Sequence, residues 1–218
     1  MSKKLLIIFV KNIKLGKVKT RLAKTVGKEN AFKVYKALVE ITEVATSNIN
    51  IDKRIYFSDT VIDEKWSKDH KTVQKGEDLG QRMSNAFKDG FDDGYTEIVL
   101  IGSDLPNITK NVINNGFNSL KLKEVVFGPA EDGGYYLVGM SKFHNCIFEN
   151  KAWSTASLLE ETLAELNQKK IDVSLIETLN DIDTFEDLIV SDFYKNNPKI
   201  QQIIQQTNDK NVITNEMK

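Results

Sequence analysis

The stretch "KKLLIIFVK" constrains the fold more than any other feature of the 218-residue chain. Its six consecutive apolar residues, Leu5 to Val10, leave no polar face. A run apolar on both sides suits a central strand covered on both faces, commonly in a parallel sheet. Parallel neighbours need long crossovers, and the following sequence supplies them. From Lys28 to about Asn48, Ala31, Val34, Tyr35, Leu38 and Ile41 recur at helical spacing. "KRIYFSD" reads as a strand, "TVQKG" as a short extended piece, and a helix begins near Leu79. "TEIVLIGSDLP" is a strand ending in a polar loop, and a helix follows Thr109. Two strand-like runs flank "PAEDGG", a helix covers roughly Thr155 to Lys169, and "IDVSLIET" is a further strand. "DIDTFEDLIVSDFY" opens a last core helix, with Thr184 and Asp187 in a Thr-x-x-Asp capping pattern.

This alternation predicts an α/β domain with a mostly parallel sheet between helices. No repeat or Gly/Ser linker divides it, so residues 1–195 read as one domain and 196–218 as a polar C-terminal helix and tail.

Composition narrows the function classes. Thirty Lys and Arg against 31 Asp and Glu give a formal net charge of −1, which argues against a general nucleic-acid binder. The single cysteine, Cys146, excludes an internal disulfide. Six apolar residues are too few to span a bilayer, and no signal-type cleavage site follows them. The expectation is a soluble, unprocessed, cytoplasmic protein.

In an open parallel sheet, ligands bind beyond the carboxyl ends of the strands. After the first strand come Lys11, Gly16, Lys17, Lys19 and Arg21. Ser103, Asp104 and Pro106 follow the strand at "EIVLI". Glu131, Asp132, Gly133 and Gly134 lie between the next two strand-like runs, and Asp181 and Asp183 follow "SLIET". One basic loop and three acidic loops therefore share an edge. Lys and Arg neutralise a diphosphate directly, and glycine lets backbone N–H groups approach it. Carboxylates repel phosphate unless they hold a divalent cation that bridges to it.

Each loop also has a plain structural reading. The basic loop can be solvated surface, "DIDTFED" can be a helix cap, and "EDGG" can be a hairpin turn. The functional case rests on their joint placement. His70 and His144 lack partners at metal-ligand spacing, Cys146 lacks a nearby base, and Trp66 reads as packing. Trp153 is the better ligand-contact candidate, because "AWST" follows the acidic region and precedes a helix. Walker-type, Gly-x-Ser-x-Gly and Gly-x-Gly-x-x-Gly motifs are absent.

Taken in order, "FVKNIKLGKVKTRL", "GEDLGQRM", "IGSDLP", "GPAEDGGYYLVG", "WST" and "DIDTFEDL" resemble a bacterial family of GT-A-type glycosyltransferase-like proteins. That family was long catalogued as a domain of unknown function, and some members are named as arsenosugar-biosynthesis-associated glycosyltransferases. The likeness spans about Leu5 to Leu188. The wider superfamily holds nucleotide-diphospho-sugar transferases and nucleotidyltransferases. The resemblance implies a Rossmann-like sheet with a nucleotide at its carboxyl edge. It sets Lys19 and Arg21 on phosphates, with Lys11, Gly16 and Ser103 nearby, and Gly80 and Arg82 beside the nucleotide. Asp104 and Asp183 become the acids for Mg²⁺ or Mn²⁺.

The sequence departs from the family pattern at Leu15 and Phe185, where prolines are usual. "GSDLP" also has one acid where many glycosyltransferases have Asp-x-Asp, so Asp183 or Asp132 must supplement Asp104. The implied activity is transfer of a sugar from a nucleotide-diphospho-sugar to a small acceptor. Asp132 or Glu131 then acts as base, and Gly133, Gly134 and Trp153 form the sugar or acceptor side. The rival readings are a nucleotidyltransferase releasing pyrophosphate and a non-catalytic nucleotide-binding protein.

Overall fold

A computed structural model describes residues 3–205. Strand β1 (Lys4–Val10) forms at the apolar run and lies inside a seven-stranded sheet, third from one edge. The other strands are β2 (Asp52–Phe57), β3 (His70–Val73), β4 (Glu97–Ile101), β5 (Val125–Pro129), β6 (Tyr135–Met140) and β7 (Val173–Leu175), in the order β3-β2-β1-β4-β6-β5-β7. Among these described strands only β6 is antiparallel to its neighbours. The five residues 130–134 between β5 and β6 are too few for a crossover, so the chain reverses there. β6 then inserts between β5 and β4, pairing Leu137 with Ile101.

The residues of β1 alternate between two apolar layers. Leu6, Ile8 and Val10 pack towards helices α2 (Lys28–Ser47) and α4 (Lys110–Ser119). Leu5, Ile7 and Phe9 pack towards α3 (Leu79–Asp92) and α5 (Leu158–Gln168). Asp78 caps α3 by accepting from the Gln81 N–H at 2.8 Å, and Thr109 caps α4 in the same way through Val112.

The sequence reading treats residues 11–27 as a basic loop, whereas the chain forms a helix, α1 (Thr20–Val26), within it. Its Leu22 and Val26 enter a third apolar cluster with Val34 and Leu38 of α2, Ile182, and Leu188 of α6 (Phe185–Val190). Seven residues with two apolar anchors give too weak a period to stand out, and tertiary burial stabilises the helix. A separate short helix, α7 (Asp192–Lys195), follows a break at Ser191. Residues 198–205 are helical and bury Ile200 and Ile204 in the third cluster. The rest of the expected tail, 206–218, lies outside the described residues. Among the described residues, no helix is long and apolar enough to cross a membrane.

Candidate active site

Lys19 is the residue around which the carboxyl edge is organised. It stands immediately before α1 in the left-handed region, at φ 45° and ψ 52°. That conformation costs a residue bearing a Cβ about 1–2 kcal/mol. In return, the side chain turns inward, where it is only 4% exposed. Its ammonium donates to Asp104 Oδ2 at 2.9 Å and to Asp183 Oδ1 at 2.8 Å. Arg21 Nη1 lies 3.6 Å from Asp183 Oδ2. Burial disfavours the Lys19 charge, but Asp104 and then Asp183 outweigh burial and raise its pKa. Burial likewise opposes charge on Asp104, yet the Lys19 ammonium holds its carboxyl below the usual range.

Asp183 is placed by an alternation in "DID". Ile182 is 1% exposed and locked into the third apolar cluster, so the acids on either side of it are free to face the cleft. Asp187 fixes the backbone behind them. Its Oδ2 accepts from the N–H groups of Asp183 at 3.0 Å and Thr184 at 2.7 Å, while Thr184 Oγ1 accepts from the Asp187 N–H. The capping box expected from the sequence therefore also positions Asp183.

Asp181 completes the group. One carboxylate oxygen from each of Asp104, Asp181 and Asp183 lies within 4.8 Å of the others. Burial pushes the Asp181 carboxyl up to about 6, and the neighbouring charge of Asp104 adds to the effect. Three oxygen-donor carboxylates fit a hard cation such as Mg²⁺ or Mn²⁺. With Lys19 charged and all three acids ionised, the group carries a net charge that one divalent cation would balance. The sequence reading notes Asp181 but gives it no role. The available signal was the i, i+2 spacing of two acids around an apolar residue in extended chain.

The "EDGG" tip is a turn. Ala130 N–H donates to Gly134 O at 3.0 Å, Gly133 N–H donates to Ala130 O at 3.1 Å, and Asp132 Oδ1 accepts from Gly134 N–H at 2.9 Å. Gly133 has φ 88°, and a Cβ there would collide with the Ala156 carbonyl oxygen. Its bare face is thus filled by the loop leading into α5, whose Leu159 N–H donates to Gly133 O at 3.0 Å. Asp132 and Gly134 nevertheless line a cavity of about 250 Å³. Asp104 and Asp181 share its wall with Phe9, Met83, Leu105, Tyr135 and Trp153. Glu131 is exposed and does not line it.

The remaining expected residues serve this cleft in different ways. Lys11 is exposed, and its carbonyl accepts from Tyr35 Oη at 2.9 Å. Tyr35 Oη also lies 3.1 Å from the buried Ser103 Oγ, tying the first two loops together. Gly16, at φ 75°, sits in a turn in which Lys17 N–H donates to Lys14 O at 3.0 Å. Gly80 faces Trp153, whose ring would lie 2.7 Å from a Cβ, so its missing side chain admits the indole. Arg82 Nε donates to Gly76 O at 3.1 Å and braces the preceding loop. Gly80 thus shapes the cavity through Trp153, while neither Gly80 nor Arg82 lines it. Asn12 has no role in the sequence reading. It is buried, accepts from the Asp59 N–H at 2.7 Å and donates to Thr60 O at 2.6 Å, joining the loops after β1 and β2.

Comparison with known proteins places this architecture. Residues 44–155, just over half of the chain, match the family model DUF2064, described as an uncharacterized protein conserved in bacteria. The chain belongs to the DUF2064 family. A crystal structure from Desulfovibrio desulfuricans G20, of a protein ascribed to the nucleotide-diphospho-sugar transferases, is 31% identical with a TM-score of 0.85. That match covers 95% of this chain and 99% of the other. Two more distant structures share the fold. The 4-diphosphocytidyl-2C-methyl-D-erythritol synthase of Anaerococcus prevotii DSM 20548 has 14% identity and a TM-score of 0.55, covering 90% of this chain and 97% of its own. The inositol-1-phosphate CTP transferase of T. maritima has 12% identity and a TM-score of 0.54, covering 95% and 97%. No curated protein matches the chain significantly. The fold, a mixed α/β sheet flanked by helices, is that of the nucleotide-diphospho-sugar transferases.

Proposed function

We propose that this DUF2064 protein is a nucleotide-sugar transferase that moves a sugar from a nucleotide-diphospho-sugar to a small hydroxyl acceptor. The observation that carries the reading is the Lys19-centred group of Asp104, Asp181 and Asp183 beside a cavity that also exposes Asp132. The similarity to the Desulfovibrio protein supports it.

Arg21 and the exposed Lys11 and Lys17 supply positive charge for a diphosphate. Asp104, Asp181 and Asp183 would hold Mg²⁺ or Mn²⁺, which supplies charge neutralisation for the leaving diphosphate. In the transfer, the acceptor oxygen bonds to the anomeric carbon as the bond from that carbon to the diphosphate oxygen breaks. The nucleoside diphosphate leaves, and the acceptor proton passes to the Asp132 carboxylate. One Asp132 oxygen is engaged by the Gly134 N–H, which orients the carboxylate and leaves the second oxygen for the proton.

The test is product analysis with a panel of nucleotide sugars and Mn²⁺. Release of nucleoside diphosphate supports the reading. Pyrophosphate release from a nucleoside triphosphate in the presence of an acceptor phosphate supports the second reading, a nucleotidyltransferase, which the fold shared with the two cytidyl-transferring enzymes favours. Tight nucleotide binding without turnover of any donor supports a non-catalytic binding protein. Asp104→Ala is expected to abolish Mn²⁺-dependent nucleotide binding in a thermal-shift assay, and unchanged binding would remove Asp104 from the site.

A further inference from the structure

Tyr35 brings a hydroxyl into the apolar stripe of α2, between Val34 and Leu38. It is 2% exposed and belongs to the apolar cluster that holds Val10 and Ile101, the last residues of β1 and β4. A phenylalanine would fill the same space without a polar atom to satisfy. Thr42, further along the stripe, turns its hydroxyl back on the helix and donates to Leu38 O at 3.2 Å. Tyr35 instead reaches beyond the helix, to the loops that follow the two strands. It donates to Lys11 O at 2.9 Å and lies 3.1 Å from Ser103 Oγ. Lys11 opens the loop that carries Lys19, and Ser103 immediately precedes Asp104. One oxygen therefore ties the roots of both halves of the Lys19–Asp104 pair.

The chemistry of the partners fixes the direction of the two bonds. Burial pushes the Tyr35 hydroxyl well above the usual phenol range, so it keeps its single proton. A carbonyl oxygen only accepts, so that proton goes to Lys11 O. Ser103 must then donate to Tyr35 Oη, which uses its only proton. Ser103 is 3% exposed and does not line the cavity. It has no proton left for a phosphate oxygen. The sequence reading sets Ser103 near the phosphates, whereas its hydroxyl is spent inside the fold. The group on this loop that meets the cleft is Asp104. Partners behind a metal ligand orient it, and their loss typically costs about 10- to 100-fold in metal affinity.

We propose that Tyr35 is a positioning residue for Asp104, acting through Ser103, and that Ser103 serves this buried bond rather than a bound phosphate. The proposal rests on the reading of Asp104 as a ligand of the divalent cation.

The test is a double-substitution cycle on the full chain: Tyr35→Phe, Ser103→Ala and the two together. Mn²⁺ is titrated without nucleotide and followed by electron paramagnetic resonance of the free ion. Each single variant should raise the Mn²⁺ dissociation constant roughly three- to tenfold, at or below the low end of the outer-partner range. The double variant should lose no more than either single one, because both remove the same bond. Melting curves report folding, and the titrations run well below the lowest midpoint, where a loss of stability alone leaves Mn²⁺ affinity unmoved. If Tyr35→Phe does not fold, Ser103→Ala carries the test by the same loss. Wild-type Mn²⁺ affinity in either folded single variant would overturn the proposal and leave Tyr35 a packing residue. Losses that add in the double variant would also overturn it, because independent roles add. Inorganic pyrophosphate titrated in chelator should bind wild type and Ser103→Ala alike, and weaker binding by Ser103→Ala would return Ser103 to the phosphates. If wild type itself takes up no Mn²⁺, the metal reading of Asp104 fails and the proposal falls with it. Mn²⁺ uptake that the variants leave unchanged overturns the proposal alone.

Discussion

Asp132 and Asp183 lie at the same sheet edge, yet different forces hold them. Asp132 sits on a hairpin tip, exposed, its geometry set by a hydrogen bond to an N–H two residues away. Asp183 is held from three directions: by the distant Lys19 ammonium, by the Asp187 carboxylate acting on its backbone, and by the adjacent Ile182, which is buried among residues of other elements. The first acid depends on local turn chemistry and the second on tertiary packing. Perturbations should therefore act locally at the hairpin and spread across loops at Asp183.

The largest expected effect is Gly133→Ala. The new Cβ would run into the Ala156 carbonyl at a positive φ, so unfolding free energy should fall by about 2–4 kcal/mol in urea titrations. This would show that even the local tip leans on one tertiary contact. A loss below about 0.5 kcal/mol would show that the α5 entry loop yields freely.

Lys19→Met comes next. Removing one partner of a buried pair costs about 3–5 kcal/mol, but Asp104 and Asp183 are 41% and 39% exposed and stay partly solvated. The expected loss is therefore nearer about 2 kcal/mol. Mn²⁺ should restore more of the melting temperature in this variant than it adds to wild type. Equal gains would mean that the cation does not compensate the same carboxylates.

Thr184→Ala removes a cap and should cost about 1 kcal/mol. Because Asp187 loses its reciprocal partner, nucleotide affinity in Mn²⁺ should fall as well. A stability loss with unchanged affinity would confine the capping box to helix formation.

Asp181→Asn has the opposite sign. The folded protein raises this carboxyl from 3.8 to about 6. Between those values the native state keeps a proton that the unfolded chain has released, so stability falls as pH rises through the window. The penalty is complete above about pH 6. In chelator at pH 7.5 the variant should melt higher by roughly 2–4 °C, about 1 kcal/mol for a chain of this size, with the gain fading towards pH 4. Metal-dependent nucleotide binding by wild type should weaken as pH drops through about 6, where Asp181 takes up its proton. A pH-independent melting difference would show that Asp181 stays ionised.

The Thr-x-x-Asp cap was legible as a local pattern, as was the Asp-Gly turn after β5, and both formed where the residues placed them. The family motifs pointed to the acidic loops, and the fold brings Asp104 and Asp183 together through Lys19. Less legible was what each glycine does: Gly80 accommodates Trp153 and Gly133 accommodates Ala156, contacts made across the fold. Asp181 escaped a role because Asp104, which completes its group, lies on another loop, and α1 escaped because its apolar face matches Ile182 and α2 rather than a long period of its own.

The sequence by itself determined the strands, the longer helices, the Thr184 cap and the β5–β6 turn, because periodicity and turn chemistry act between residues a few positions apart. Only the tertiary structure decided that β6 inserts beside β4, that Lys19 adopts a left-handed backbone to reach acids 85 and 164 positions away, and that Tyr135 keeps a buried hydroxyl without a partner among the described residues. Those outcomes depend on which groups share a low-dielectric space once the sheet has formed, and burial and charge at that range leave no local pattern in the chain.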